Sequence, residues 1–289
     1  MTGGVAGRPE LDRDRFVPRA GLVRGWVDLY LTMFRVAILN NIQYRVANYF
    51  YMIGMIAEPV IYLVVWSTIA RQEGGQVGGL TPGQLAAYYI VWTLVRQMNI
   101  VFTVYGWDER IREGELSAML LQPLFPIHRD IAFLAGWKLV TIVMWLPIAA
   151  VLTLIFSPTL DIQPIDVAVF GVAIWGAYLV RTMLYWILGM ASFWTTRAGP
   201  LFQLMFTAEL LLSGRLVPLS LLPDWAQRLA DVLPFKWTFG YPIDALIGQL
   251  PLSELIGGLA MQLLWIVVGA IGVRLVWRVA IRRYSAVNG

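Results

Sequence analysis

The chain has 289 residues, 58% of them hydrophobic and only 14% charged, and its mean hydropathy of +0.66 is that of an integral membrane protein rather than a soluble domain. It contains no cysteine, which excludes disulfides, thiolate metal sites and cysteine nucleophiles. The net charge of +4 is no sign of nucleic-acid binding, because the arginines gather at the ends of apolar segments, where they report membrane topology.

Residues 1–21 are polar, Arg-rich and broken by Pro9 and Pro18, with no apolar core of the kind a secretory signal needs; they read as a cytoplasmic tail. Residues 22–46 are predicted to form an amphipathic interfacial helix. Arg24, Asp28 and Arg35 fall on one side, and Trp26, Leu29, Met33, Val36 and Ala37 on the other. Reading this stretch as a tilted first span would leave Arg35, Asn40 and Asn41 in hydrocarbon.

The body of the chain, 47–280, divides into six apolar segments: 49–70, 84–106, 138–156, 167–193, 200–212 and 255–277. About 20 helical residues match a hydrocarbon core of about 30 Å, so most are long enough to cross, and 200–212 is short. A glycine-rich turn (71–83) and a loop around Asp161 face one side. A charged connector (107–130), the turn carrying Arg197 and the tail 281–289 face the other. The arginines of the N-terminal tail and entry helix, of the connector (Arg110, Arg112, Arg129), Arg197 and the three of the C-terminal end all fall on the second side, so both termini are expected in the cytoplasm.

Residues 213–248 carry four prolines (Pro218, Pro223, Pro234, Pro242) and three glycines (Gly214, Gly240, Gly248) and are too broken to cross. Between the breaks, Trp225, Leu229 and Val232 oppose Asp224, Gln227, Arg228 and Asp231, the pattern of a short surface helix. The segment is predicted to be a re-entrant lid on the outer face.

No phosphate loop, HExxH or GxSxG motif occurs, and the single histidine, His128, lies in a cytoplasmic turn, where it reads as solvated. No metal site is expected, and any energy source must be another polypeptide or an ion gradient. The connector is the stronger functional feature. Its charged start and its apolar residues Leu116, Met119, Leu120 and Leu121 suit docking, although an ordinary solvated loop has the same composition. Four charges fall inside the spans: Glu58 and Arg96 at similar depth in one adjacent pair, Arg181 and Glu209 in another. Isolated charges there cost about 2.5–3.5 kcal/mol each, so pairing is expected, with lining of a substrate path as the other reading.

Six spans, the amphipathic entry helix, the connector IREGELSAMLLQPL and the segment LLSGRLVPLSLLPDWAQRLADVLPF together resemble the permease subunits of ABC-2-type (type V) ABC transporters, in the bacterial branch with unfused permeases. The most specific residues are Gly214, Pro218, Pro223, Trp225, Pro234 and Phe235, with Pro242 and Gly248 following. The resemblance implies an all-α membrane domain with re-entrant outer helices between spans five and six, in a bacterial cytoplasmic membrane. It implies a partner ATP-binding subunit in two copies, which would hold ATP and magnesium, and a second copy of this permease or a sister permease. Carried onto this chain, the ATPase-coupling segment is Glu109, Arg110, Arg112, Glu113, Gly114, Glu115 and Leu116. The substrate, a drug, lipid, glycan or peptide, would be exported between facing second and fifth spans lined by Trp92, Met98, Phe102, Phe202, Met205 and Phe206, although such residues more often serve packing. The rival classes are a secondary carrier using Glu58 and Glu209 for proton coupling, an intramembrane lipid-modifying enzyme using Asp224, Asp231 and Lys236, and a non-transporting scaffold.

Overall fold

A computed structural model describes residues 22–284 except 78, 102–105, 123–124, 196–197 and 248–249. It is all-α, 83% helix, with no strand among the described residues. Four helical stretches are long and apolar enough to cross a membrane: Arg45–Gln72, Ile127–Phe156, Pro164–Phe193 and Leu252–Arg283.

α1 (Leu22–Gln43) breaks at Tyr44, and α2 (Arg45–Gly54) and α3 (Ala57–Gln72) continue the chain. α4 (Pro82–Met98) starts sharply because Thr81 and Gln84 form a reciprocal capping box and Pro82 occupies the first turn, where its missing N–H costs nothing. α5 (Gly106–Arg112) and α6 (Glu115–Leu120) are short. α7 (Ile127–Phe156) takes in the third apolar segment together with the residues ahead of Lys138, starting four residues before the extension IAFLAGW expected from Ile131. α8 (Pro164–Gly189) opens on a second capping pair, with Asp166 accepting the Gln163 N–H at 2.9 Å. A 3₁₀ turn, Met190–Phe193, follows it, and then α9 (Gly199–Leu212), 14 residues long. The broken segment forms a 3₁₀ turn and three short helices, α10 (Asp224–Val232), α11 (Pro234–Thr238) and α12 (Gly240–Ile247), before α13 (Leu252–Ala280).

α4 is the interior helix. Thirteen of its residues, Leu85 to Val95 with Gln97 and Met98, are buried, and α3, α7, α8 and α12 pack around it. Its polar Thr93, Arg96 and Gln97 therefore meet protein, which is what permits them in an otherwise apolar helix. It runs antiparallel to α3, because Glu58 meets Arg96 and Tyr62 meets Trp92 and then Tyr89. It also opposes α7, with Lys138 at Gln97 and Trp145 at Thr93. α8 and α13 run parallel: Gln262 donates to the Ala173 carbonyl, and Gly269 and Gly272 take up Met183 and Ile187.

α1 lies along the first half of α7 and parallel to it, with Tyr30 Oη 2.9 Å from His128 Nδ1 and the Phe34 backbone against Gly136. Ala37 and Asn41 are its buried residues, and Trp26 and Val36, on the expected apolar side, are exposed. His128 is half-buried against Trp26 and Tyr30 rather than solvated.

Candidate functional site

The connector is held down at its base. Trp107 is fully buried against Trp186 at 4.8 Å, Phe193 at 5.8 Å and Trp277 at 6.3 Å, joining α5 to α8 and α13. This seat exists because residue 189 is glycine: a Cβ there would lie 2.1 Å from Trp107 Cδ1. Arg110 turns inward as well. Its guanidinium donates to both carboxylate oxygens of Asp130, at 2.7 and 2.8 Å, and Trp186 Nε1 donates to the same carboxylate at 2.8 Å. Burial opposes the charge on Arg110, but the hydrogen bonds and charge of Asp130 outweigh it and raise the guanidinium pKa above its ordinary value.

Arg110 is thus an anchor of the connector and not part of its outer surface, because a bidentate pair with a buried carboxylate is costly to separate. Leu116 is fully buried and Met119 nearly so, while Ser117 and Tyr284 meet at 2.7 Å. Gly114 turns the chain between α5 and α6 at φ +78°. What remains outward is Glu109, Glu113, Glu115 and Leu120, with Leu121 88% exposed. The Arg112 side chain lies outside what the structure describes, as do Phe102 and Gly248.

A second cluster surrounds the end of α4. The last carbonyls of a helix have no partner within it, and here two cations supply them. Lys138 Nζ donates to the Gln97 and Ile100 carbonyls at 2.7 and 2.6 Å, and Arg181 donates to that of Asn99. The partial negative charge of a helix C-terminus, about half a unit, favours both. Asn99 itself donates to the Thr238 carbonyl at 2.6 Å, which ties this end to α11. The second segment, expected to be continuous over 84–106, therefore stops as a helix at Met98.

Glu209 on α9 accepts from Arg181 at 2.8 Å and from the Tyr185 hydroxyl at 3.1 Å. Glu58 meets Arg96 at 2.5 Å and Arg215 at 3.8 Å. The two pairs differ in exposure: the Glu209 side chain is 3% exposed and that of Glu58 31%. Lys138, Arg215 and Asp130 were not singled out by the sequence. Each sits near a segment end, where a charge reads as a water-facing flank, and the partners that bury it come from distant helices.

The 213–248 segment packs against the first turns of α13, through Tyr241 to Leu255 and Gln262 to Trp237, whereas Trp107 on α5 meets Trp277 in the last turn of α13 and Ser117 on α6 meets Tyr284 just beyond it. Gly214, at φ +86°, makes a turn that a side chain would strain and that leaves no room for one, since a Cβ would lie 2.8 Å from Tyr88 Oη. Tyr88 and Trp92 donate to the Gly214 and Arg215 carbonyls at 2.7 and 2.9 Å. Pro218, Pro234 and Phe235 are buried, and Pro223 is exposed ahead of α10. In α10 the small residues Ala226 and Ala230 face the protein, and Trp225, Leu229 and Val232 face outward.

Two residues expected to line a path are enclosed in the core. Trp92 and Met98 are fully buried, because α4 is surrounded on all sides. Phe202, Met205 and Phe206 on α9 are half-buried, and the Arg215 guanidinium stacks 4.8 Å above the Phe206 ring. Among the described residues, no group of three His, Asp or Glu side chains converges as a metal site would require.

In comparison with known families, the sequence model described as ABC-2 family transporter protein matches residues 55–287. No curated protein matches the chain.

Proposed function

Because this chain belongs to the ABC-2 family of transporter proteins, we propose that it is the permease of an ATP-driven exporter in a bacterial cytoplasmic membrane. It crosses six times, with α4 and α9 as the two short crossings and both termini in the cytoplasm. The helix directions support this count, since α3 parallels α7 in opposing α4, and α8 parallels α13, as first and third or fourth and sixth crossings must. The 213–248 segment caps the outer face as a re-entrant unit.

The observation that carries the reading is the build of the connector. An apolar and ion-paired base, Trp107, Arg110 and Leu116, is fixed into α7, α8 and α13, under an outward row of Glu109, Glu113 and Glu115 edged by Leu120 and Leu121. A rigid base transmits displacement, and exposed carboxylates beside leucine suit a basic and apolar partner surface. That partner is a separate ATP-binding subunit in two copies, holding ATP and magnesium, and the permease pairs with itself or a sister. Closure of the ATPase pair would push on α5 and α6 and rock α7, α8 and α13 as one body. The cargo is an amphipathic or hydrophobic drug, lipid, glycan or peptide moving along the α9 face, where Phe202, Met205 and Phe206 offer adaptable apolar contact.

Reversing Glu113→Lys and Glu115→Lys together tests the assignment. The expected result is loss of transport with basal ATP hydrolysis by the partner intact; normal transport would remove the connector from the coupling role.

A further inference from the structure

Where α1 breaks into α2, a cleft of about 440 Å³ opens between that elbow, α5 and α7. Its size falls in the range of about 300–1,000 Å³ typical of small-molecule sites. One wall is amide: Asn40, Asn41 and Asn48, with Tyr44 at the rim. The wall is pre-set, because Asn41 donates to the Ala37 carbonyl at 2.9 Å and accepts from Asn48 at 3.0 Å. The facing wall is Phe133, Leu134 and Trp137 on α7, and the floor is the Arg110–Asp130 pair beside Gly106.

Charge narrows what such a cleft would hold. Among the described residues, Arg110 and Asp130 are the charged side chains lining it, and they neutralise each other in a bidentate pair. The cleft thus offers hydrogen bonds without net charge, beside an apolar wall. Its depth fits a headgroup. α7, with 30 residues, is about 45 Å long against a hydrocarbon core of about 30 Å, so its first turns reach the headgroup layer, where Tyr and Trp such as Tyr44 and Trp137 collect.

We propose that this cleft binds an amphiphile with an uncharged headgroup rich in hydroxyl or amide groups, its chain lying along Phe133, Leu134 and Trp137. The same chemistry belongs to a cargo awaiting export or to a bilayer glycolipid. Either occupant would touch Arg110, on the helix that also carries Glu109, so occupancy acts directly on the connector. That consequence rests on the exporter reading; the binding does not.

The absence of cysteine makes a single-site reporter straightforward. The full chain carrying Tyr44→Cys is placed in phosphatidylcholine nanodiscs, and maleimide modification is timed with dodecyl maltoside, dodecyl phosphate or dodecyltrimethylammonium added below micelle-forming concentrations. Dodecyl maltoside is expected to slow modification saturably by about fivefold, the effect of roughly 80% occupancy, while the charged amphiphiles change it less than about twofold. Adding Asn40→Trp, at an exposed wall position, should abolish the protection, and a Ser220→Cys reporter should show none. Protection by a charged amphiphile, by all three alike or by none, or protection that survives Asn40→Trp, overturns the site. With the partner ATPase present, ATP turnover that relieves protection identifies cargo, and protection that turnover leaves unchanged identifies a resident lipid. Because binding is read without the ATPase, the site and the exporter reading fail separately.

Discussion

Replacing Glu209 by Gln should be among the most destabilising single changes in the protein, and the structure gives its size. The carboxylate accepts from Arg181 and Tyr185, and the Arg181 and Glu209 side chains are 11% and 3% exposed. Two unit charges about 4 Å apart interact by about 4 kcal/mol at an effective dielectric of about 20. Glutamine keeps the shape and an acceptor but leaves the guanidinium uncompensated, and breaking a buried pair in this way costs about 3–5 kcal/mol. The double variant Arg181→Met with Glu209→Gln removes that stranded cation but orphans the Asn99 carbonyl, worth about 1–3 kcal/mol. Its cost should therefore fall short of the sum of the two single variants by at least about 2 kcal/mol. Reversible unfolding in mixed micelles measures all four proteins. Additivity of the Arg181 and Glu209 changes within about 0.5 kcal/mol would refute the reasoning.

At the connector, Gly189→Val drives a side chain into the seat of Trp107, and overpacking of this kind costs about 1–3 kcal/mol or more. Loss of unfolding free energy, partly recovered when Trp107→Ala is added, is the expected pattern, and a valine variant as stable as the parent would contradict the packing. For the placement of α10, Asp224→Cys should react with a membrane-impermeant maleimide added outside intact cells. Reaction only from the cytoplasmic side would reverse the proposed topology.

Several of these features could be read from the residues alone. The prolines at 218, 223, 234 and 242 bound short pieces because proline lacks a donor and constrains its predecessor, and the segment folds as a 3₁₀ turn and three short helices. Glu58 and Arg96 could be matched in depth by counting along their segments, since both are local to neighbouring helices, and they lie in contact. Lys138 could not be read in this way. A lysine at the edge of an apolar run looks like the end of a span, yet it lies inside α7 and donates to carbonyls some forty residues earlier. Arg110 looked outward for the same reason, because its partner Asp130 begins another helix. Trp92 and Met98 fit a lining pattern, but periodicity describes one helix, and α4 has neighbours on every side.

By itself the sequence determined the class, an all-helical membrane protein with apolar segments, a charged connector and a segment broken by prolines, because composition, helix length and proline placement act within a few residues. Only the tertiary structure decided which charges turn inward, which face of the connector is free, and that a polar cleft opens at the elbow of α1 and α2. Those outcomes depend on which distant groups supply the missing hydrogen bonds and counter-charges, and the cost of burying a polar group unpaired makes that choice a property of the assembled helices.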